Sequence, residues 1–147
     1  MNLIMELSIR QASLEDSRSI AALSGQLGYE TDYKTMQDRL KTILKSNENC
    51  VYVASYNDEL IGWIHGFYAL RVETDPFVEI GGLVVDENFR NKGVGKKLIE
   101  FVFDWTKTKN CSEIRVRSNT IRVESHKFYE KLGFDLNKTQ KIFNIYL

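Results

Sequence analysis

Hydrophobic and polar positions alternate along the chain in two different periods, and these predict where strands and helices lie. Near the start, "LSIRQA" alternates as a short strand does, and Ser13 followed by acids is typical of a helix start. Apolar residues at helical spacing then predict one helix that stops at Gly28 and a second helix over residues of about 33–45. Two helices therefore precede the main run of strands.

The middle of the chain has the pattern of β-structure. "CVYVAS" and "LIGWIHGFYALRVE" are rich in β-branched and aromatic residues and flank the turn residues "YNDE", so they predict a hairpin. A further strand, "FVEIGGLVVD", leads into a helix whose apolar face holds Leu98, Ile99, Val102 and Trp105.

The last forty residues predict one more strand, helix and strand. "SEIRVRS" alternates as a strand, "VESHKFYEKL" has helical spacing up to Gly133, and "KIFNIYL" predicts a closing strand. Because a strand, helix, strand unit needs a long crossover, at least one strand pair should be parallel. No linker or repeat interrupts the 147 residues, so we expect one domain over residues 1–147.

Composition and charge exclude several classes of protein. Hydrophobic residues make up 43% and charged residues 27%, which is typical of a folded protein and not of a disordered one. Lys plus Arg and Asp plus Glu both total 20, so the chain lacks the basic excess that favours nucleic acid or anionic membranes. The segment "LIGWIHGFYAL" is too short to span a membrane.

The compartment can be inferred from the first residues and the cysteines. "MNLIMELSIR" has no basic segment before its apolar residues, which disfavours a secretion signal. Cys50 and Cys111 are too few for a disulfide framework or a metal cluster and fit a reducing compartment. We therefore expect a cytoplasmic protein whose two cysteines are buried apolar residues.

The junction "DENFRNKGVGKK" places basic residues and two glycines directly before the third helix. A helix N-terminus has unpaired N–H groups and partial positive charge, so glycines there let an anion approach the main chain. A Walker A loop would need Gly in place of Arg90 and Ser or Thr in place of Lys97, and a Rossmann fingerprint would need Gly in place of Leu98. From these residues alone, the junction is either another kind of phosphate loop or a basic turn without a ligand.

Arg90-x-x-Gly93-x-Gly95 resembles the acyl-CoA-binding signature of the GNAT superfamily of N-acetyltransferases. "LVVDENFRNKGVG" is similar to the family's fourth strand and pyrophosphate loop, and "RVESHKFYEKLGF" is similar to its C-terminal helix. Asn91 stands where Gly is common in the family, and Asn tolerates left-handed backbone better than most residues. The resemblance implies an α/β fold with a mixed, mostly antiparallel central sheet of six to seven strands and about four helices.

The resemblance also implies acetyl-CoA as cosubstrate and no metal. The pyrophosphate would lie on the N–H groups of residues 91–96, and the pantetheine arm would pair with the backbone of the strand before them. Gly81 and Gly82 in that strand predict a bulge or a close backbone approach, and the amide near Leu83 would polarise the thioester carbonyl. The cofactor-binding residues would be Leu83, Val84, Val85, Arg90, Asn91, Lys92, Gly93, Val94, Gly95, Lys96, Asn119 and Arg122.

Two residues stand where the family carries catalytic groups. Tyr129 would give a proton to the leaving thiolate, and its alternative is a core tyrosine on an apolar helix face. Glu79, among apolar residues of its strand, would be the general base, and its alternative is a solvated strand-edge acid. Glu30, Glu73 and Asp75 are rival bases, and His65 fits a strand histidine better than a base.

The function implied is transfer of an acetyl group from acetyl-CoA to a primary amine by direct attack in a ternary complex. Acids and tyrosines on loops that border the acceptor cleft in the family favour a cationic amine as acceptor, and their alternative is a set of solvated loop residues; these are Tyr29, Glu30, Asp32, Tyr33, Glu73 and Asp75. We expect a small molecule rather than a protein as the acceptor. The alternative is a non-catalytic acyl-CoA-binding sensor or interaction module of the same fold. Neither nucleic acid nor membrane is expected as a partner, and a homodimer is frequent among family members.

Overall fold

The structure is a computed structural model that describes residues 6–147. The first five residues, which belong to the segment "MNLIMELSIR", lie outside the described residues. The described chain forms two compact units, residues 6–116 and residues 117–147. The elements of the first unit are β1 Leu7–Gln11, a 3-10 turn Leu14–Asp16, α1 Ser17–Gly25, α2 Tyr33–Leu44, β2 Asn49–Tyr56, β3 Glu59–Ala69, β4 Phe77–Val85, a 3-10 turn Glu87–Phe89, α3 Val94–Thr108 and β5 Ile114–Val116. The second unit holds α4 Val123–Lys131.

The sheet is mixed and mostly antiparallel, as the resemblance implies. Its strands lie in the order β1-β2-β3-β4-β5, with three antiparallel pairs followed by a parallel pair between β4 and β5. The expected count of six to seven strands is wrong, because the sheet of the described residues has five. The helix count of four holds within the described residues.

The predicted closing strand "KIFNIYL" accounts for part of the difference in strand count. In the structure, residues 134–147 adopt neither helix nor strand, and the large apolar side chains of residues 136–147 are exposed, Phe143 at 88%. An apolar pattern reports a preference for burial, whereas a strand also needs a neighbouring backbone to pair with. The tail has the apolar pattern of a strand, but no strand of the described residues pairs with it.

Helices pack on both faces of the first unit's sheet. Leu98 and Val102 of α3 lie against Gly62 and Gly66 of β3. On the opposite face, Trp63 packs against a cluster that joins α1 and α2 to β2, formed by Ala12, Ile20, Leu40, Val51 and Val53. Successive strand residues point to opposite faces, so β3 is covered from both sides.

The predicted irregularity at the glycine pair of β4 is confirmed. His65 of β3 pairs with Gly82, and the next residue, Gly66, pairs with Ile80, so Gly81 is an extra residue in β4. This is a β-bulge. A Cβ atom added to Gly82 would lie 2.7 Å from the ring of Trp63, so the glycine also permits a close approach.

Substitution of Gly82 by Ala should destabilise the fold by about 1–3 kcal/mol, because the new methyl group would displace the large ring of Trp63. Gly25 at the end of α1 is the matched control, since an added Cβ meets nothing within 4 Å there. Gly25→Ala should be neutral or stabilise by up to about 1 kcal/mol. Urea midpoints of both variants measure the difference, and a Gly82→Ala midpoint equal to that of the parent would contradict the packing of Trp63 on the bulge.

Candidate active site

The β4 to α3 junction presents main-chain N–H groups without helical partners. Gly93, the residue before α3, has left-handed backbone with φ of 84°, and Asn91 also has positive φ, 61°, a conformation that Asn tolerates. No side chain caps the helix, and the N–H of Lys97 makes the first helical bond, 3.1 Å to the carbonyl of Gly93. The amides of residues 94–96 precede that bond, so they are donors for a ligand.

Three basic side chains surround this junction. Arg90 donates from Nε to the carbonyl oxygen of Val85 at 3.2 Å, which holds its guanidinium at the end of β4. Lys92 and Lys96 are exposed. Since the N-terminal end of a helix adds partial positive charge, the junction favours an anion.

Gln26 holds the loop between β4 and α3 by hydrogen bonds that the sequence does not reveal. Gln26, just after α1, donates to the carboxylate of Asp86 at 3.2 Å and accepts from the N–H of Glu87 at 3.0 Å. Asp86 in turn accepts from the N–H of Asn88 at 2.8 Å. The end of α1 therefore positions the loop between β4 and α3.

The carboxyl end of β4 has one open edge. Leu83, Val84 and Val85 pair with β3 on one side. On the other side β5 pairs only with residues 78–80, so within the described residues no strand covers the edge of residues 83–85. An open strand edge can bind an extended group by main-chain hydrogen bonds. This edge leads directly to the free amides of α3.

Glu79 is buried in the interior of the sheet. It lies opposite Phe67 of β3 and Arg115 of β5 in the register, and it is 8% exposed. Its neighbours along β4 are buried apolar residues, as expected. The alternative of a solvated edge acid is wrong, because β4 is paired on both sides at this position.

The second unit contains Tyr129. The phenol ring lies edge-on to the rings of Phe128 and Phe134, with centroids 5.2 and 5.6 Å apart. Burial raises the pKa of Tyr129, and the nearby Arg122 acts in the opposite direction. A phenol with a raised pKa remains protonated well above neutral pH and can act as a proton donor.

Asn119 and Arg122 lie at the start of α4. The side chain of Asn119 accepts from the N–H of Ile121 at 3.1 Å, and its carbonyl accepts from the N–H of Arg122 at 3.0 Å. The Asn119 side-chain oxygen is thus used in a local turn. Arg122 is exposed.

The predicted acceptor residues are all exposed, and two of them also make structural contacts. Glu30, Glu73 and Asp75 are exposed. Asp32 and Tyr33 are exposed as well: Asp32 caps α2 by accepting from the N–H of Thr35 at 2.8 Å, and the ring of Tyr33 stacks with Arg18 at 4.3 Å. Tyr29 is exposed. The exposed members of this group are available to an acceptor molecule.

Both cysteines are free thiols. Burial raises the pKa of Cys50 to about 12 and also raises that of Cys111. The expectation that both are buried holds for Cys50 and is wrong for Cys111, which is only partly buried. Among residues 6–147, no group of three or more His, Cys, Asp or Glu side chains is placed to hold a metal ion.

Iodoacetamide should therefore leave any catalytic activity of the protein intact at neutral pH, because alkylation needs the thiolate and both thiols have raised pKa values. The rate of CoA release before and after treatment measures this. A Cys111→Ser variant controls for slow alkylation at the less buried site. Rapid inactivation that this variant does not prevent would show that Cys50 is reactive.

No helix of residues 6–147 is both long enough and apolar enough to cross a membrane. The fold and the junction together define a mixed α/β protein with a main-chain anion site where β4 leads into α3. The sequence model of the acetyltransferase (GNAT) family matches residues 13–134, and the chain belongs to that family.

Three similar proteins illustrate the relationship. An aminoglycoside N(6')-acetyltransferase type 1 from Stenotrophomonas maltophilia is 28% identical over 133 residues, with 87% of this chain and 86% of the relative covered. An N-acetylaspartate synthetase from Xenopus tropicalis is 30% identical over 67% of this chain, which spans only 35% of that relative. The solved structure of AAC(6')-Iy with the bisubstrate analogue CoA-S-monomethyl-acetylneamine has a TM-score of 0.85 at 23% identity, and the match covers 96% of this chain and 99% of the other. This last likeness shows the fold.

Proposed function

We propose that the protein is an N-acetyltransferase that moves the acetyl group of acetyl-CoA to the primary amine of a small molecule. The observation that carries the proposal is the open edge of residues 83–85, which continues into the uncapped N-terminus of α3. One elongated ligand with a peptide-like arm and a pyrophosphate matches both features. Membership of the acetyltransferase family supports acetyl-CoA as that ligand.

The cosubstrate contacts follow from this arrangement. The backbone of residues 83–85 would pair with the pantetheine arm, and the amides of residues 91–96 would bind the pyrophosphate. Arg90, Lys92 and Lys96 add positive charge around these donors. Arg122 stands where family members often carry an Asn, and Asn119 lies three residues earlier. The exposed Arg122 guanidinium and the Asn119 amide nitrogen would both donate to CoA, since only the oxygen of Asn119 serves a turn.

The reaction would be a direct transfer within a ternary complex. The amine nitrogen forms a bond to the acetyl carbon, the carbon–sulfur bond breaks, and the amide near Leu83 stabilises the oxyanion. Glu79, buried on β4, is the base that the family resemblance proposes for the proton that the amine loses. Tyr129 would give its proton to the leaving thiolate.

We propose a cationic small-molecule amine as acceptor. The exposed acids Glu30, Glu73 and Asp75 support this, as does the relative named an aminoglycoside acetyltransferase, which matches over most of its length. Relatives named N-acetylaspartate synthetases make aspartate the necessary comparison. CoA release with an aminoglycoside, a polyamine and aspartate tests the proposal, which predicts higher kcat/KM for the cations. Faster turnover of aspartate would contradict the cationic preference.

The alternative, a non-catalytic acyl-CoA-binding module, is not favoured by the named relatives. Such a module would bind acetyl-CoA and release no CoA with any amine.

We also propose that residues 1–147 form one cytoplasmic domain that associates as a homodimer. The family match from 13 to 134 includes parts of both compact units, and both cysteines are free. The exposed apolar tail offers surface that a second copy would bury; it includes Ile142, Phe143, Ile145, Tyr146 and Leu147. Light scattering should show a dimer for the parent and a monomer after Phe143→Glu and Ile145→Glu together, and a monomeric parent would contradict the dimer.

A further inference from the structure

We propose that the imidazole of His65, oriented by Asn49 and Ser46, takes the proton from the acceptor amine. This inference rests on the proposed acetyl transfer and assigns to His65 the proton step that family resemblance would give to Glu79. It is carried by a hydrogen-bond chain on β2 and β3 that ends at the bulge of β4.

The chain of hydrogen bonds fixes which ring nitrogen carries a proton. The Nε2 of His65 lies 2.7 Å from the Oδ1 of Asn49, and the Nδ2 of Asn49 donates to the Oγ of Ser46 at 3.0 Å. Because the amide nitrogen is used on Ser46, the amide oxygen faces the imidazole. An oxygen only accepts, so Nε2 must carry the hydrogen and Nδ1 holds the lone pair.

The lone pair faces the bulge. A Cβ atom added to Gly81 would lie 3.0 Å from the Nδ1 of His65, so this nitrogen borders the extra residue of β4. Gly81 is exposed and has no side chain, which leaves space in front of the nitrogen. Among residues 6–147, Asn49 is hydrogen-bonded to the Nε2 of His65, and no group is hydrogen-bonded to its Nδ1.

The bulge is also where the transferred group would lie. The amide proposed to polarise the thioester carbonyl is near Leu83, two residues after Gly81 on the same strand. An amine attacking that carbonyl would approach the same short stretch of β4, within reach of a base beside Gly81. By geometry, His65 is therefore positioned to meet the attacking nitrogen.

The surroundings keep His65 neutral and able to accept a proton. Burial lowers its pKa, and no charged side chain contributes to this shift. β2 presents the neutral residues Asn49 and Val51, and β4 presents Gly82 opposite the ring and Glu79 further along the strand.

The acetyl transfer moves two protons, one from the amine to His65 and one from Tyr129 to the thiolate. The amine nitrogen gives its lone pair to the acetyl carbon, and the proton it loses passes to Nδ1 of His65. The carbon–sulfur bond breaks, and the thiolate takes a proton from Tyr129. The imidazolium then releases its proton to solvent through the exposed position at Gly81, and the tyrosinate left at Tyr129 takes a proton from solvent.

The test is the pH dependence of kcat/KM for the parent and His65→Gln. The parent should lose activity as the pH falls through the pKa of His65, which burial holds below its ordinary value, because protonated His65 cannot accept a proton. His65→Gln should lower kcat/KM by roughly 10- to 50-fold, abolish this acidic limb and leave the Kd for acetyl-CoA unchanged. His126→Gln is the matched control, since its Nε2 is bound to the Asn119 carbonyl at 2.8 Å, and it should keep the acidic limb.

Two further variants separate catalysis from packing. His65→Ala should regain activity when imidazole is added to the medium, which a structural role would not allow. Asn49→Ala, a change in the positioning residue, should lower kcat and shift the acidic limb while binding acetyl-CoA normally. The inference is overturned if the parent turns over and His65→Gln keeps the same rate and acidic limb. A parent that releases no CoA with any amine contradicts the proposed function instead.

Discussion

Replacement of Tyr129 by Phe is expected to lower kcat by on the order of 100-fold, because the leaving thiolate would lose its proton donor. The change removes one oxygen and keeps the ring, so the contacts with Phe128 and Phe134 should persist. The Kd for acetyl-CoA should stay the same. Single-turnover kinetics with saturating amine measure the chemical step, and calorimetry measures the affinity.

Tyr146→Phe is the control for this substitution. Tyr146 is 92% exposed in the tail and has no proposed part in the reaction, so its loss of a hydroxyl group should leave kcat unchanged. A Tyr129→Phe enzyme with the kcat of the parent would show that the thiolate is protonated by another group. Because burial raises the pKa of Tyr129, the donor should also remain protonated in moderately alkaline solution.

Substitution of Gly93 by Val should weaken acetyl-CoA binding by on the order of 100-fold, since several charge-assisted bonds to the pyrophosphate depend on the backbone there. Gly93 has φ of 84°, a conformation that β-branched residues adopt at high cost. The valine would turn the backbone and misdirect the amides of residues 94–96. Calorimetric titration with acetyl-CoA gives the change in Kd.

Gly28→Val provides a control with the same local strain. Gly28 also has φ of 84°, and an added Cβ meets nothing within 4 Å at either glycine. Both variants should therefore lose similar stability, whereas only Gly93→Val should lose affinity for acetyl-CoA. Equal affinities in the two variants would contradict the placement of the pyrophosphate on the α3 junction.

Local features of the fold could be predicted from the sequence because they are determined within a few residues. The hairpin of β2 and β3 turns at Asn57 and Asp58, which both have positive φ and are residue types suited to such turns. The start and end of α2 follow its apolar period. In contrast, "KIFNIYL" has the pattern of a strand, and only the partner backbone decides whether it pairs.

The candidate site likewise has some features that could be predicted from the sequence and others that could not. The loop at Gly93 and the bulge at Gly81 could be predicted because glycine marks unusual backbone. The hydrogen bond between Asn49 and His65 could not be predicted, because it depends on the register of β2 against β3. The tie from Gln26 to Asp86 joins residues 60 positions apart and has no local signal.

The most direct test of the central claim is the stoichiometry of acetyl-CoA turnover with a cationic amine. Purified protein would be mixed with acetyl-CoA and an aminoglycoside or polyamine, and CoA and acetylated amine would be quantified by mass spectrometry. We expect equal amounts of CoA and N-acetylated product, formed at a rate that falls in Tyr129→Phe. Tight binding of acetyl-CoA with no acetylated product from any amine would contradict it.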